Sequence, residues 1–351
     1  MDLSPYDFDL PESLIALRPV YPREAARLLI VHGGGRLEDA YMRDLPELLQ
    51  SSDRLVFNDT RVLLAALQAV RPARNMQGQD ISVHINLVTK AGPDRWRALA
   101  RPGKRLKTGD VLLLPDALRA KIIDKATNGE IELEFNLTGA ELQAAIEQYG
   151  AMPLPPYIAR QRPADVQDKI DYQTRFAGAE AASVAAPTAG LHFSELLLSA
   201  LTAKGIGQDY VRLDVGQGTF APLTTKDWQS HRLHAEWRII EAETANRLNK
   251  HRAKGARIIP VGTTAMRTLE SAVGDTGHLM PVSGPTDIFI RPGDPVQITQ
   301  GLVTNFHLPK SSLFMLVSAL MGTGLMQAAY AHAIAHKYRF YSYGDACLLL
   351  P

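Results

Sequence analysis

The sequence predicts an α/β protein: a discontinuous α/β main domain with an inserted small antiparallel β-barrel domain. Three observations lead there. Beyond Gly178, short apolar runs alternate with amphipathic stretches, the pattern of strands and helices laid in layers. Between Val62 and Gly150 that pattern gives way to short alternating stretches separated by turns. Ahead of both, Arg27-Leu28-Leu29-Ile30-Val31 and Leu55-Val56-Phe57 are apolar runs bounded by turn residues, as buried strands are. The main domain is therefore placed at residues 1–61 and 152–351, and the barrel at 62–151.

The elements follow in chain order. Residues 11–16 read as a helix or turn, and strands follow at 27–31 and 54–57. The insert holds strand-like stretches at 81–88, 95–100, 111–114, 118–123 and 130–136, with Gly92-Pro93-Asp94 and Asn128-Gly129 as turns between them. A brief helix is expected at 141–149. Met152-Pro-Leu-Pro-Pro-Tyr157 reads as an extended connector, because each proline biases the preceding residue away from helix. Later elements alternate: strand 183–186, helix 194–204, strand 208–215, helix 242–253, strand 257–261, helix 265–273 and strand 286–290. Residues 311–335 carry no Lys, Arg, Asp or Glu, yet Gly322-Thr323-Gly324 interrupts them, so two buried helices at 313–321 and 325–337 are expected, not a membrane span.

At 351 residues, with 46% hydrophobic and 21% charged side chains, the composition is that of an ordinary globular protein. A net charge of +1 gives no general attraction to nucleic acid or membrane. Charge is uneven, however. Residues 61–107 hold ten Lys or Arg against two acids, Asp80 and Asp94. Arg95, Arg97, Arg101, Lys104 and Arg105 make this stretch a candidate RNA-contacting surface, although a plain solvated face has the same composition. The single cysteine, Cys347, excludes intrachain disulfides and fits a cytoplasmic setting. The acidic Met1-Asp2-Leu3-Ser4-Pro5 opening lacks the basic start of a secretory signal.

Several short motifs carry chemistry. Val184-Ala-Ala-Pro-Thr-Ala-Gly-Leu-His-Phe193 reads as a strand, a small-residue turn and a histidine at the mouth of a helix. Thr188 and Gly190 there allow close backbone approach to a ligand, and His192 stands alone as a titratable group; a simple chain reversal has the same pattern. Gly262-Thr263-Thr264, followed by Arg267, is a strand–loop–helix nest suited to a carboxylate or phosphate. In the bland reading one threonine caps the helix and Arg267 pairs with Glu270. Gly216 and Gly218 form a second glycine turn, and Asn305 and His307 lie in a polar loop between apolar segments. His231-Arg-Leu-His234-Ala-Glu236 suggests a metal site but lacks a third and fourth ligand of the usual kind, so no metal is expected. Neither a dinucleotide fingerprint nor a P-loop occurs.

Taken together, these motifs resemble the S-adenosylmethionine:tRNA ribosyltransferase-isomerase family of the queuosine pathway. The likeness runs end to end: Phe8-Asp-Leu-Pro11, Asn58-Asp-Thr-Arg-Val62, Arg101-Pro-Gly-Lys-Arg105, Leu154-Pro-Pro-Tyr-Ile158 and Tyr172-Gln-Thr174. It continues through 184–193, 216–220, His231-x-x-His234-x-Glu236, Gly262-Thr-Thr264, Arg267-Thr-Leu-Glu270, 304–309 and 338–346. The resemblance implies an α/β domain plus a β-barrel. It also implies the reaction: the ribosyl part of S-adenosylmethionine is transferred and isomerised onto the aminomethyl group of 7-aminomethyl-7-deazaguanine (preQ1) at the tRNA wobble position. Epoxyqueuosine-tRNA, adenine and methionine would be the products. S-adenosylmethionine is then a consumed substrate and no cofactor is called for.

Such chemistry needs a base near the sulfonium-activated C5′, an acid to help adenine leave, and a neutral amine close to the ribose. His192 is the first candidate for acid/base work, with His307 and Asp59 as further candidates. Asn58, Arg61, Tyr157, Thr188, Gly190, Gly216, Gly218, Gly262, Thr263, Thr264, Arg267 and Asn305 are the candidate substrate-binding residues. The partners expected are S-adenosylmethionine and tRNA, acting on a monomer with no membrane. Six positions depart from the family pattern: Leu64 for proline, Ala66 for arginine, Ala182 for glycine, Asp214 for histidine, Asp294 for an aromatic residue and Gln300 for aspartate. Two other functions stay open at this point, a catalytically degenerate RNA-binding homologue and a transferase acting on a free nucleoside.

Overall fold

Nine strands form one mixed sheet, in the order Val282–Thr286, Glu236–Ile240, Gly207–Leu213, Arg54–Asn58, Ile258–Val261, Leu302–Asn305, Ala346–Leu350, Arg27–His32 and Leu37–Tyr41. This is a computed structural model, describing residues 3–126, 129–179, 181–216 and 233–351. The chain divides into two units, Met1–Arg61 with Gln173–Glu180 and Ala186–Pro351, and Val62–Tyr172 with Ala181–Ala185.

The first unit holds the nine-stranded sheet. Its middle is parallel: Arg54–Asn58 runs alongside both Gly207–Leu213 and Ile258–Val261, and the latter alongside Leu302–Asn305. Side chains alternate across the sheet as the pleat requires. Leu55, Phe57, Ile259 and Val261 enter one apolar cluster with Leu197 and Leu201, while Val56 and Ile258 enter another with Leu248, Ala265 and Leu269. Both faces are thus covered by helices, which is why these strands read as unbroken apolar runs. Glu195–Ala203 is capped by Ser194, whose Oγ accepts from the Leu197 amide at 3.2 Å. Ser312–Met321 and Thr323–Ala335 are bent by 114° at Gly322, and among the described residues no single helix is long and apolar enough to cross a membrane.

The second unit is a closed six-stranded barrel in the order Glu130–Phe135, Arg95–Arg101, Ile81–Lys90, Ala66–Arg71, Val111–Leu113 and Arg119–Lys125. Inward positions fill it with Leu67, Val83, Ile85, Leu87, Trp96, Ala98, Leu112, Ile122, Ile131 and Leu133. Gly139–Tyr149 adds Leu142 and Ile146 to this core.

Some elements differ from the sequence reading. The barrel has a sixth strand, Ala66–Arg71, whose inward positions include the weakly hydrophobic Ala69 and the cation Arg71. The barrel unit runs through Tyr172 and regains Ala181–Ala185, past the boundary drawn at 151, because Val184 is buried in the barrel core. The predicted strand at 286–290 lies instead at Val282–Thr286, spanning Pro285, which an edge strand tolerates. The connector turns at Pro156–Ala159 into one helical turn with proline in its first positions, so it is not extended throughout.

Candidate functional site

Four neighbouring parallel strands end on the same edge of the sheet, and the residues that follow them are those the sequence singled out. Asn58–Arg61 follows the first, Asp214–Gly216 the second, Gly262–Thr264 the third and Asn305–His307 the fourth. In open α/β sheets, ligands bind outside the carboxyl ends of the strands.

The Pro-Thr-Ala-Gly segment forms a 3₁₀ turn, Thr188–His192, that places His192 just ahead of the Glu195–Ala203 helix as expected, while the strand before it lies at Ala181–Ser183 and not at 183–186. Asn305 ties it to the sheet. Its Oδ1 accepts from Thr188 Oγ1 at 2.9 Å, and its Nδ2 lies 3.2 Å from both the Tyr341 carbonyl and His192 Nε2. A carbonyl only accepts, so the Asn305 amide orientation is fixed, Nε2 of His192 is the acceptor, and its proton sits on Nδ1. Burial, with Arg23 and Arg339 nearby, pushes the His192 pKa down to about 3. The imidazole is therefore neutral at physiological pH, which withdraws the acid role that the sequence alone allowed. A partly open recess of about 10 Å³, the room of one water, is lined by His192, Arg23 and Arg339.

His307 is also buried and neutral. Its Nε2 lies 3.0 Å from Thr304 Oγ1, its amide donates to the Tyr330 hydroxyl at 2.9 Å, and burial takes its pKa to about 3. Asp59 behaves in the opposite sense. Burial raises its carboxyl pKa, and neighbouring Asp214 adds to the rise while Arg212 opposes it. Of the three acid/base candidates, Asp59 is the one whose pKa moves toward neutrality, as an acid/base group at pH 7 requires.

Asn58 is structural here. Its Oδ1 accepts from the Thr60 and Leu213 amides at 3.1 and 3.0 Å, and its Nδ2 donates to the Leu213 carbonyl at 3.0 Å. Gly190 has a packing reason as well, since a Cβ there would stand 2.7 Å from Phe176 Cζ. Gly216 is more open: a Cβ would meet only Glu236 Oε1, at 3.9 Å. Arg61 is half-buried at the end of its loop. Gly218 and His231 lie outside the described residues. Tyr157 belongs to the barrel unit, not to the unit that carries the sheet.

The Gly262 loop departs from the bland reading given to it. Gly262 itself is the N-cap, at φ +93°, and neither Thr263 nor Thr264 caps the Thr263–Glu270 helix with its side chain. Glu270 does not pair with Arg267. It accepts instead from the amides of Gln297, Ile298 and Thr299 at 2.8, 3.1 and 2.8 Å. Arg267 pairs with Glu236 through Nη1 and donates from Nε to the Ile288 carbonyl at 3.3 Å. Glu236 also accepts from the Gly216 amide at 2.9 Å. The sequence reading met Glu236 only within the suspected metal motif; His234 of that motif is exposed, and among the described residues no cluster of His, Cys, Asp or Glu could hold a metal.

Several departures from the family pattern are absorbed locally. Asp214 accepts from Thr60 Oγ1 at 2.9 Å and Arg212 Nε at 2.8 Å. Asp294 closes a turn on the Arg291 amide at 2.9 Å, and Gln300 Oε1 accepts from the Ile258 amide at 3.3 Å.

In the barrel unit, Arg95, Arg97, Arg101, Lys104 and Arg105 are all exposed. They are not equivalent. Arg95 and Arg97 face Glu134 and Glu132 across the strand pair, and Arg95 bridges to Glu134 at 2.8 Å. Arg101, Lys104 and Arg105 stand at the end of that strand and in the turn after it.

Comparison with known proteins gives one consistent result. A family model described as queuosine biosynthesis protein matches residues 3–349. The chain is 62% identical to a protein of Hyphomonas neptunium named S-adenosylmethionine:tRNA ribosyltransferase-isomerase, covering 100% of both. A protein of the same name from Maricaulis maris is 53% identical and covers 99% of each chain. Among solved structures, a crystal structure of S-adenosylmethionine tRNA ribosyltransferase from Thermotoga maritima aligns with a TM-score of 0.55 and 31% identity, covering 99% of this chain and 100% of that one.

Proposed function

This chain belongs to the queuosine biosynthesis family of S-adenosylmethionine:tRNA ribosyltransferase-isomerases, and from that premise we propose which base it modifies and which of its residues carry the reaction. It is a transferase and isomerase that moves the ribosyl part of S-adenosylmethionine onto tRNA. The acceptor in our reading is the 7-aminomethyl group of preQ1 at the wobble position. The product is epoxyqueuosine-tRNA, with adenine and methionine released. S-adenosylmethionine is consumed, no separate cofactor takes part, and the protein acts as a cytoplasmic monomer.

The observation that supports this reading is the gathering of four candidate loops at the carboxyl edge of adjacent parallel strands. Asp59, with its raised pKa, is the base that takes the proton near C5′. His192, neutral and protonated on Nδ1, donates a hydrogen bond and does not titrate during turnover. His307 supports the loop that presents Asn305. Arg267 and the Gly262–Thr264 amides hold an oxyanion, either the methionine carboxylate or a tRNA phosphate. The exposed cations of the barrel, Lys104 and Arg105 foremost, contact tRNA phosphates.

Incubation with S-adenosylmethionine and precursor tRNA tests this directly, with adenine release as the readout. Release that requires preQ1-bearing tRNA is expected. Release without tRNA would point to a free-nucleoside transferase, and no release with intact tRNA binding would point to a degenerate homologue.

A further inference from the structure

We infer that Thr264 and Arg267 form a seat for the methionine α-carboxylate of S-adenosylmethionine, and that Glu236 is the positioning residue that holds the guanidinium there. This rests on the reading of Arg267 as an oxyanion holder and deepens it, naming the donors, the ligand and the post.

Among the described residues, two buried polar atoms on one helix have no hydrogen-bond partner: Arg267 Nη2 and Thr264 Oγ1. Their residues are 3% and 6% exposed. Residues three apart in a helix share a face, so both groups lie on one side, one turn apart. The rest of the guanidinium is occupied, with Nη1 on Glu236 and Nε on the Ile288 carbonyl. What remains is one N–H pair and one hydroxyl, a donor set that matches the two oxygens of a carboxylate. The first-turn amides of the same helix have no intrahelical acceptor and add positive potential. Gly262 leaves the approach clear, since a Cβ there would stand 3.6 Å from Thr264 Oγ1 and 3.5 Å from the Ala189 methyl.

Depth selects the ligand. A seat whose donors have almost no solvent exposure admits the slender end of an amino acid more readily than a phosphate flanked by nucleosides. Glu236 is the post for a physical reason. Its two oxygens bind different segments, Oε2 the Arg267 guanidinium and Oε1 the Gly216 amide. A buried pair of this kind is costly to desolvate and contributes little net stability, so stability alone does not account for it. Fixing the direction of Nη2 is a role it can fill.

The test compares S-adenosylmethionine with its decarboxylated analogue, as substrates and as ligands in equilibrium binding. Variants are Thr264→Val, Glu236→Gln, Glu236→Asp and Arg267→Ala. For Thr264→Val and Glu236→Gln the KM for S-adenosylmethionine should rise about tenfold, equivalent to about 1.4 kcal/mol. The kcat should stay within about threefold, the KM for tRNA should not move, and preference over the decarboxylated analogue should collapse. Glu236→Asp should restore part of that preference. Preference kept by both Thr264→Val and Glu236→Gln, while Arg267→Ala loses it, overturns this inference and spares the earlier reading. Arg267→Ala with unchanged affinity for both S-adenosylmethionine and tRNA overturns both. A change confined to the tRNA KM and its salt dependence assigns the seat to a phosphate and overturns the carboxylate. Thr264→Val is nearly isosteric, and it carries the test alone if Glu236→Gln does not fold.

Discussion

The two units of this chain treat charge in opposite ways. The α/β unit buries an ion pair and neutral polar groups together: Arg267, Glu236, His192, Asn305 and His307 lie at or near strand ends with less than a tenth of their surface exposed. The barrel core is apolar apart from the inward Arg71, and the cations of Arg95–Arg101 stand outside on alternate strand positions. Buried polar groups act at short range, where geometry and low dielectric make each one count. Exposed cations act through a screened field, where each contributes modestly and less still when a neighbouring acid faces it. Substitutions in the first unit should therefore change chemistry or stability sharply. Those in the second should change tRNA affinity gently and with salt.

The largest effect is expected at Asp59. Asp59→Asn keeps the shape of the side chain and removes the base, so adenine release should fall by about 10²–10⁴-fold with folding unchanged. The pH profile sharpens this. Burial raises the Asp59 pKa, so its basic form appears at higher pH than for an ordinary carboxylate. The rising limb of kcat/KM should sit correspondingly high and disappear in the variant. A rate within about threefold of the parent would transfer the proton to another group.

Next in size is the acid sensitivity of the α/β unit. His192 and His307 have folded pKa values near 3, below the unfolded value of 6.5. A depressed histidine pKa means that the unfolded chain binds the proton first. Stability is then present above pH 6.5 and is lost as pH falls from there toward 3. Each histidine should cost about 2 kcal/mol between pH 7 and pH 5. In the full chain, amide exchange should accelerate in the sheet around Asn305 before it does in the barrel, whose His84 is exposed. His307→Gln should flatten the acid limb by about one histidine's share, and an unchanged limb would refute the assignment.

How much of this was legible in the sequence follows the same division. The central strands were visible because burial on both faces leaves unbroken apolar runs such as Leu55-Val56-Phe57. Edge strands were not: Leu37–Tyr41 is mostly half-exposed, and Val282–Thr286 contains a proline. Leu302–Asn305 is fully buried, but it has only four residues and ends in polar ones, so it read as loop. In the site, the positions of Gly262, Arg267 and Asn305 were readable from motif spacing. Their partners were not, because Glu236 lies 31 residues from Arg267 and Thr188 lies 117 from Asn305. Nor was the neutrality of His192, since burial is a property of the fold and not of the residue.

Within the barrel the contrast can be drawn finely. Lys104→Glu with Arg105→Glu should raise the KM for tRNA about tenfold at moderate salt. It should also lower the slope of log affinity against log salt by about 1.4, the loss of two single-strand phosphate contacts. Stability should move by no more than about 0.5 kcal/mol, as is usual for surface positions. The smallest effect is expected at Arg95. Its charge already faces Glu134, with Glu132 opposite the neighbouring Arg97, so less of it is available to a phosphate. Arg95→Ala should change the tRNA KM by less than about twofold, whereas Glu134→Gln, which frees Arg95, should tighten binding slightly. Equal losses at Arg95 and Lys104 would mean that the whole strand face, and not its terminal turn, meets the RNA.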